Sequence, residues 1–239
     1  VFNCCSYISC CINSICNQSH SDIEIIVIDG GSKDGTLALI ENYGLRISHF
    51  ISQTDSGMYD ALNTGLKLAS GDVIGILNAD DYFLDENVIS LIVDCFLRQG
   101  CDAVYGNLNY VKKDGNDTII RRWKSRPFTD KAIKFGWMPA HPTLYLKRTI
   151  YQKFGPYLLH FGSCGDYELM LRYFFTHKIQ AHYLNKFLVN MREGGVSNGS
   201  IKKRYQAFLN DYKILVHTKM PYPMLVTIFK RFRKINQYF

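Results

Sequence analysis

Asp80 and Asp81 stand side by side at the end of a short apolar run, Gly71-Asp72-Val73-Ile74-Gly75-Ile76-Leu77-Asn78-Ala79-Asp80-Asp81. Adjacent carboxylates raise each other's pKa unless a cation or strong donors offset their charge. A hard divalent ion, Mg2+ or Mn2+, removes that conflict: it takes one or two protein carboxylates and keeps its other positions for water and diphosphate oxygens. The ligand implied by such a pair is a nucleotide. A plainer reading competes, because Asp also caps helices and a helix is expected over Glu86 to Arg98.

The run itself is too short for a helix and rich in β-branched residues, so it reads as a buried parallel strand. In open α/β sheets ligands gather beyond the carboxyl ends of strands, which is where Asp80 and Asp81 fall. The same arrangement occurs twice upstream. Ile23 to Ile28 reads as a strand and ends on Asp29-Gly30-Gly31-Ser32-Lys33-Asp34-Gly35-Thr36. Its glycines let a ligand approach the backbone, and a helix from Thr36 offers free N–H groups. Ile47 to Ile51 is a second short strand, followed by Thr54-Asp55-Ser56-Gly57 and a helix from Met58 to Ala69. Near that helix's start Tyr59, Asp60 and Asn63 can either line a site or cap the turn. Three successive acidic strand ends argue for a nucleotide crevice over three unrelated turns.

Other elements must frame these ends. Val1-Phe2-Asn3 reads as the end of a strand whose beginning is absent, and Ile8, Cys11, Ile12 and Ile15 recur at helical spacing after it. Ala103 to Val111 is a strand that returns over Thr118 to Trp123 through a hairpin turn at Lys113-Asp114-Gly115-Asn116. The loop from Gly136 to Thr143, which includes Trp137, Met138 and His141, has the rings and polar groups that suit a sugar face. His141 reads as a structural loop residue ahead of a catalytic one.

A second stretch able to carry chemistry is Gly162-Ser163-Cys164-Gly165-Asp166-Tyr167-Glu168-Leu169-Met170-Leu171-Arg172. Leu169, Met170 and Tyr173 mark a buried helical face, with the acids in the first turn. The helix dipole stabilises acids there whether or not they catalyse anything, so both readings stay open on the residues alone. The glycine-rich stretch from Met191 to Gly199 carries Arg192, which can meet a diphosphate or face solvent. Lys202 to Val216 is an amphipathic helix. From Met224 to Ile235 apolar residues alternate helically with Lys230, Arg231, Arg233 and Lys234, a basic tail able to lie on an anionic membrane or dock on the domain.

The 239 residues suffice for one large α/β domain, and 47% hydrophobic with 21% charged residues excludes a disordered chain. A net charge of +7 favours an acidic ligand or surface. The eight cysteines lack paired Cys-x-x-Cys clamps, which argues for buried thiols in a reducing cytosol over structural zinc. No apolar stretch approaches the ~20 residues of a spanning helix, and the basic residues gather at the tail without the stacking pattern of a nucleic-acid reader.

Ile28 to Thr36, Asp55 to Gly65 and Gly71 to Asp81 together resemble family 2 glycosyltransferases, and the likeness extends over nearly the whole chain. It implies the GT-A (Rossmann-like) fold: a mixed, mainly parallel sheet flanked by helices, with a C-terminal helical tail. The domain would span 1–216, with a donor half at about 1–123 and an acceptor half at about 124–216; the tail would be 217–239. The resemblance further implies that Asp29 helps hold the nucleoside and that Asp80, in the third place of the Asp-x-Asp motif, binds Mg2+ or Mn2+ and diphosphate. Asp81 would be a ligand or stand behind it, while Asn78 fills the motif's first place without charge. The full donor-binding expectation is Asp29, Ser32, Asp34, Asp55, Asn63, Asp80, Asp81 and Arg192. The base maps to Asp166, with Glu168 as runner-up and Gly165 where a Glu is usual.

The activity implied is inverting transfer from a nucleotide-sugar, a UDP-sugar by preference, to a saccharide or lipid-linked acceptor at the cytoplasmic membrane face. Two competitors stand beside it. A sugar nucleotidyltransferase would need a basic, glycine-rich loop at the first strand, which the sequence does not display. A non-catalytic nucleotide- or glycan-binding module would account for Asn78 and Gly165.

Overall fold

Apolar residues on one side of α1 (Ile8–Cys16) and in β1 (Ile26–Asp29) bury each other in a cluster of Ile8, Ile12, Ile25 and Val27, to which α2 (Thr36–Glu41) adds Ile40. The computed structural model describes residues 1–113, 117–194 and 201–232. β2 (His49–Ser52) runs parallel to β1, with Ile26 opposite His49 and Asp29 opposite Ser52. Val1 joins β1 from the other side: its amino group donates to the Ile28 carbonyl at 2.7 Å, and Gly30 N–H donates to the Val1 carbonyl at 2.9 Å. That is the bonding pattern of a parallel bridge.

After α3 (Met58–Leu68) the chain enters β3 (Val73–Gly75). This element departs from the expected buried parallel strand. It is three residues long and only half-buried, and it pairs antiparallel with a later strand, β7. The reason lies in one cross-strand pair. Gly75 opposes Tyr145, whose ring lies where a side chain at 75 would stand, 2.1 Å from a Cβ built there. β1 and β3 do not pair with each other.

The main sheet continues through β4 (Tyr82–Phe83), α4 (Val88–Gln99), β5 (Ala103–Val111) and β6 (Ile119–Trp123). Then come α5 (Asp130–Lys134), β7 (Tyr145–Lys147), α6 (Arg148–Phe154), α7 (Gly165–Met170) and β8 (Ala181–Arg192). Gly100 stops α4 in the left-handed conformation, at φ +60°. The strand order is β3-β7-β5-β8-β4, with β6 on β5. β7 pairs with the start of β5 and β6 with its end, so the nine residues of β5 carry two neighbours as well as β8.

The fold is therefore α/β with a mixed sheet, as expected, although less of the pairing is parallel than expected. β1–β2 and β5–β8 are parallel, whereas β3–β7, β4–β8, β5–β6 and β5–β7 are antiparallel. The middle of the expected hairpin turn, Asp114 to Asn116, lies outside the described residues, as does the 195–200 stretch.

The C-terminal elements are α8 (Ile201–His217) and α9 (Pro223–Phe232). Of the two readings of the basic tail, docking on the domain is the one its contacts match. Lys230 Nζ bonds Asp211 Oδ1 at 2.7 Å and lies 3.3 Å over the Tyr167 ring, and Arg231 reaches Asp211 at 3.7 Å. Asp211 is buried in α8, and a buried carboxylate needs a partner, so it draws the basic residues inward. Outward the helix presents Met224, Leu225, Ile228 and Phe229. Arg233, Lys234 and Ile235 lie outside the described residues.

One buried ion pair ties the second half together. Glu168, fully buried, receives both Nε and an NH2 of Arg172 at 2.8 and 3.0 Å. The same guanidinium donates to the carbonyls of Phe154, Gly155 and Pro156 after α6. Removing one partner of such a pair strands a buried charge. Arg172→Met is expected to lose about 3–5 kcal/mol of stability, read as a lower urea midpoint. An unchanged midpoint would show that the pair is not held in the folded chain.

Candidate active site

A cleft of about 2660 Å3 runs between β1 and β3 and on to the start of α7. Its walls include Ile26 to Ile28 on one side and Val73 to Leu77 on the other, and Asp55, Asp80, Asp81, His141, Asp166 and Arg192 all border it. The fold thus gathers the expected base and two of the three acidic strand ends on one surface.

The turn that carries Asp80 and Asp81 is closed by Asp81 N–H donating to the Asn78 carbonyl at 2.9 Å. Asp81 points inward and is almost wholly buried. Its Oδ2 accepts the Asn78 amide at 2.8 Å and its Oδ1 accepts Arg192 N–H at 3.2 Å. Burial, reinforced by the charge of Asp80, pushes its pKa up to about 7. Both oxygens are thus engaged in hydrogen bonds within the protein. Asp80 is left as the carboxylate facing the cleft. Its Oδ2 lies 3.2 Å from Lys113 Nζ, and its other oxygen accepts no hydrogen bond among the described residues.

Among the described residues no three His, Cys, Asp or Glu side chains form a ready metal cage. A hard divalent ion does not require one: one carboxylate plus ligand oxygens suffices for Mg2+ or Mn2+. Asp80, partly exposed with a free oxygen, fits that role.

Arg192 does not reach outward as expected. Its NH1 donates to the Asp80 carbonyl at 2.8 Å, its NH2 lies 3.5 Å from Asp117 Oδ1, and the guanidinium stacks over the rings of Tyr7 and Tyr82. With its polar groups so engaged, it shapes the Asp80 turn from behind.

Four further residues expected at the donor spend their polar groups within the protein. Asp29 is fully buried, and its carboxylate takes Gly31 N–H, Ser32 N–H and the hydroxyls of Ser32 and Ser52. Burial raises its pKa, but those donors outweigh it and hold the carboxyl below its usual range. Ser32 Oγ in turn accepts Asn3 N–H at 2.7 Å. Asp34 accepts Thr36 N–H and Oγ1, and also Cys5 N–H, so it closes its own turn and anchors the N-terminal segment. Asn63 uses both ends of its amide on the backbone of Tyr157, each at 2.9 Å. None of the four borders the cleft.

Asp55 does border it. Its Oδ1 accepts Gly57 N–H at 2.9 Å, while Oδ2 lies 2.7 Å from where a Cβ at position 30 would be. Gly30 is small because Asp55 occupies that space.

Asp166 opens α7, and its Oδ1 accepts the Tyr59 hydroxyl at 3.1 Å and Tyr167 N–H at 2.8 Å. Tyr59 stacks on Tyr157, whose hydroxyl bonds His141 Nε2 at 2.7 Å. Glu168, the alternative base, is sealed on Arg172 and is no candidate. Sequence reasoning did not assign Tyr59 or Lys113 a partner. Their contacts span 107 and 33 residues, and no local pattern announces them.

An α/β domain with acidic strand ends on one cleft is the architecture of a nucleotide-using transferase. The model for "Glycosyl transferase family 2" matches residues 1–175, and the chain belongs to that family of glycosyltransferases. A "PGL/p-HBAD biosynthesis glycosyltransferase" of Mycobacterium tuberculosis is 25% identical over 235 residues, covering 94% of this chain and 85% of that protein. The chondroitin synthase of Escherichia coli is 34% identical over 118 residues, 48% of this chain and 17% of that one. Among solved structures, S. aureus TarS 1-349 in complex with UDP-GlcNAc superposes with a TM-score of 0.68 at 15% identity, over 98% of this chain and 71% of that one. The mannosyltransferase PcManGT from Pyrobaculum calidifontis, in complex with GDP-Man and Mn2+, gives 0.64 at 15%, over 97% and 67%. The chain spans 52% of the longer TarS structure. These structural likenesses bear on the fold, which is that of TarS. Among the described residues no helix is long and apolar enough to cross a membrane.

Two measurements probe the site directly. Gly30→Ala must displace the Asp55 carboxylate, so nucleoside-diphosphate affinity is expected to fall about tenfold, roughly one lost charged hydrogen bond. The melting temperature should change little; calorimetry and a melt read the two. Unaltered affinity would remove Asp55 from the ligand's surface.

His141 is half-buried, and desolvation lowers its pKa below the ordinary 6.5 against the pull of Asp166. The unfolded chain therefore binds more protons as pH falls through 6.5, so the stability this ring contributes is complete above that value and lost below it. His141→Gln should flatten the fall in melting temperature between about pH 7 and pH 5. His177, also lowered by burial, supplies a remaining slope.

Proposed function

We propose that the chain transfers a sugar, with inversion, from a UDP-sugar to a hydroxyl of a saccharide or lipid-linked acceptor in surface polysaccharide or glycolipid assembly. The observation that carries this reading is the continuity of the cleft: Asp55, Asp80 and Asp166 all border the same space. Donor and acceptor can therefore meet between them. The residues up to about 123 form the donor side, and those from about 124 form the acceptor side, where Met138 and His141 join the wall.

The step has a simple balance. Asp166 takes the proton of the acceptor hydroxyl as that oxygen bonds the anomeric carbon from the face opposite the leaving group. The bond to the diphosphate breaks, and the nucleoside diphosphate leaves with the electron pair. The Tyr59 hydroxyl and Tyr167 N–H hold one oxygen of Asp166, leaving the other to meet the acceptor. No covalent enzyme intermediate is required. Mg2+ or Mn2+ on Asp80 would supply charge stabilisation to the departing diphosphate.

The UDP-GlcNAc in TarS supports the uridine choice, and the Mn2+ in PcManGT supports a divalent ion at the cleft. The Mycobacterium relative's name supports a role in cell-surface assembly. Membrane contact is part of the proposal. It rests on the exposed apolar row Met224, Leu225, Ile228 and Phe229 rather than on a basic face, and it places the enzyme peripherally on the inner side of the cell membrane.

Asp166→Asn keeps the shape and removes the base. Turnover of a UDP-sugar should fall by at least about a hundredfold, the low end of what a positioned base contributes. UDP binding by calorimetry should stay within about twofold of the wild type. Normal turnover in this variant would take the base role away from Asp166.

A further inference from the structure

A divalent ion on Asp80 would meet a competitor that the chain itself provides. Lys113 follows the end of β5 and sends Nζ to within 3.2 Å of Asp80 Oδ2; the two side chains are 32% and 27% exposed. The neighbouring groups cannot divide this contact. Asp81 has both oxygens on Asn78 and Arg192, and Asn78 carries no charge. Arg192 is held on the Asp80 carbonyl and beside Asp117. At this turn Asp80 is thus the carboxylate with an oxygen left for a ligand, and Lys113 carries the ammonium beside it. Lys113 itself borders the cleft.

We infer that Lys113 is a counter-cation of the donor site: its ammonium competes with a divalent ion for Asp80 and turns to the diphosphate oxygens when the donor enters. The inference rests on the proposed reading of the cleft as a nucleotide-sugar site. The stem has the freedom for this motion, since four rotatable bonds carry a compact point charge suited to phosphate. Among the described residues Nζ also lies 5.2 Å over the Tyr7 ring. The residue therefore raises the concentration of free metal the enzyme needs and supplies part of the metal's charge when metal is scarce.

The magnitude follows from Coulomb's law. A doubly charged ion about 5 Å from an ammonium in a water-like dielectric loses roughly tenfold in affinity. The test titrates MnCl2 into wild type, Lys113→Met, Lys113→Arg and Lys112→Met by calorimetry, and then titrates UDP into the same proteins in EDTA. Lys113→Met should bind Mn2+ about tenfold more tightly than wild type, and bind UDP in EDTA at least about fivefold more weakly. Lys113→Arg and Lys112→Met should both resemble wild type. Equal Mn2+ affinities in wild type and Lys113→Met, or no binding by either, overturn the competition; unchanged UDP binding in EDTA overturns the diphosphate contact. An Asp80→Ala variant separates the two levels. If it binds Mn2+ as wild type does, the ion is not on Asp80, and the proposed metal site falls together with this inference. Failure at Lys113 alone leaves the donor site standing.

Discussion

The end of β8 grips the turn from Asn78 to Asp81, and the geometry of the cleft depends on that grip. Arg192 donates its backbone N–H to the Asp81 carboxylate and its guanidinium to the Asp80 carbonyl, bridging more than a hundred residues of sequence. Hydrogen bonds to charged groups contribute about 1.5–3 kcal/mol each, and more is lost if a buried carboxylate is left without them. With Asp81 held inward, its neighbour has to face out. β4 follows at once and pairs Tyr82 with Asn190, so the turn cannot rotate without breaking that ladder. The outward carboxylate is therefore a consequence of the inward one.

The same logic governs the first acidic strand end. Asp29 is buried at the end of β1 because Gly31, Ser32 and Ser52 supply its donors, and Asp34 ties the following turn to the N-terminal segment through Cys5. A carboxylate so satisfied has little left to offer a ligand. It stiffens the loop on which Gly30 stands, and Gly30 leaves the space that Asp55 fills. The charge presented to the cleft is thus smaller than the count of acids in the motifs. Asp55 and Asp80 remain on its lining, with Lys113 offsetting the latter.

Much of this was legible in the sequence, and the boundary follows the range of the interactions. α1, α3, α4 and β5 declared themselves through periodicity and caps, as did the end of β1 at Asp29, because those signals are local. β3 misled because its apolar run satisfies the pattern of a buried parallel strand, whereas Gly75 under Tyr145 makes it a short antiparallel one. β7 and α6, which follow the aromatic loop, had no periodicity of their own and are fixed by tertiary pairing. Residue type predicted which positions bear charge but not which way each points. Asp29, Asp34, Asn63 and Arg192 all carry the right chemistry and direct it at the backbone.

Gly165 is the position where the sequence seemed most at odds with a working transferase, since it stands where the resemblance leads one to expect Glu. The packing gives it a different meaning. A Cβ at 165 would lie 2.9 Å from the Tyr59 ring, so any side chain there would push that ring away. Tyr59 in place bonds Asp166, and its own hydroxyl is kept protonated by burial and by that carboxylate's charge. A phenol fixed as a donor orients the carboxylate without taking its proton-accepting role. The glycine is thereby tied to the placement of Asp166, the group proposed to take the proton. What reads in the sequence as a lost acid is, in the fold, the space that lets Tyr59 aim Asp166 into the cleft.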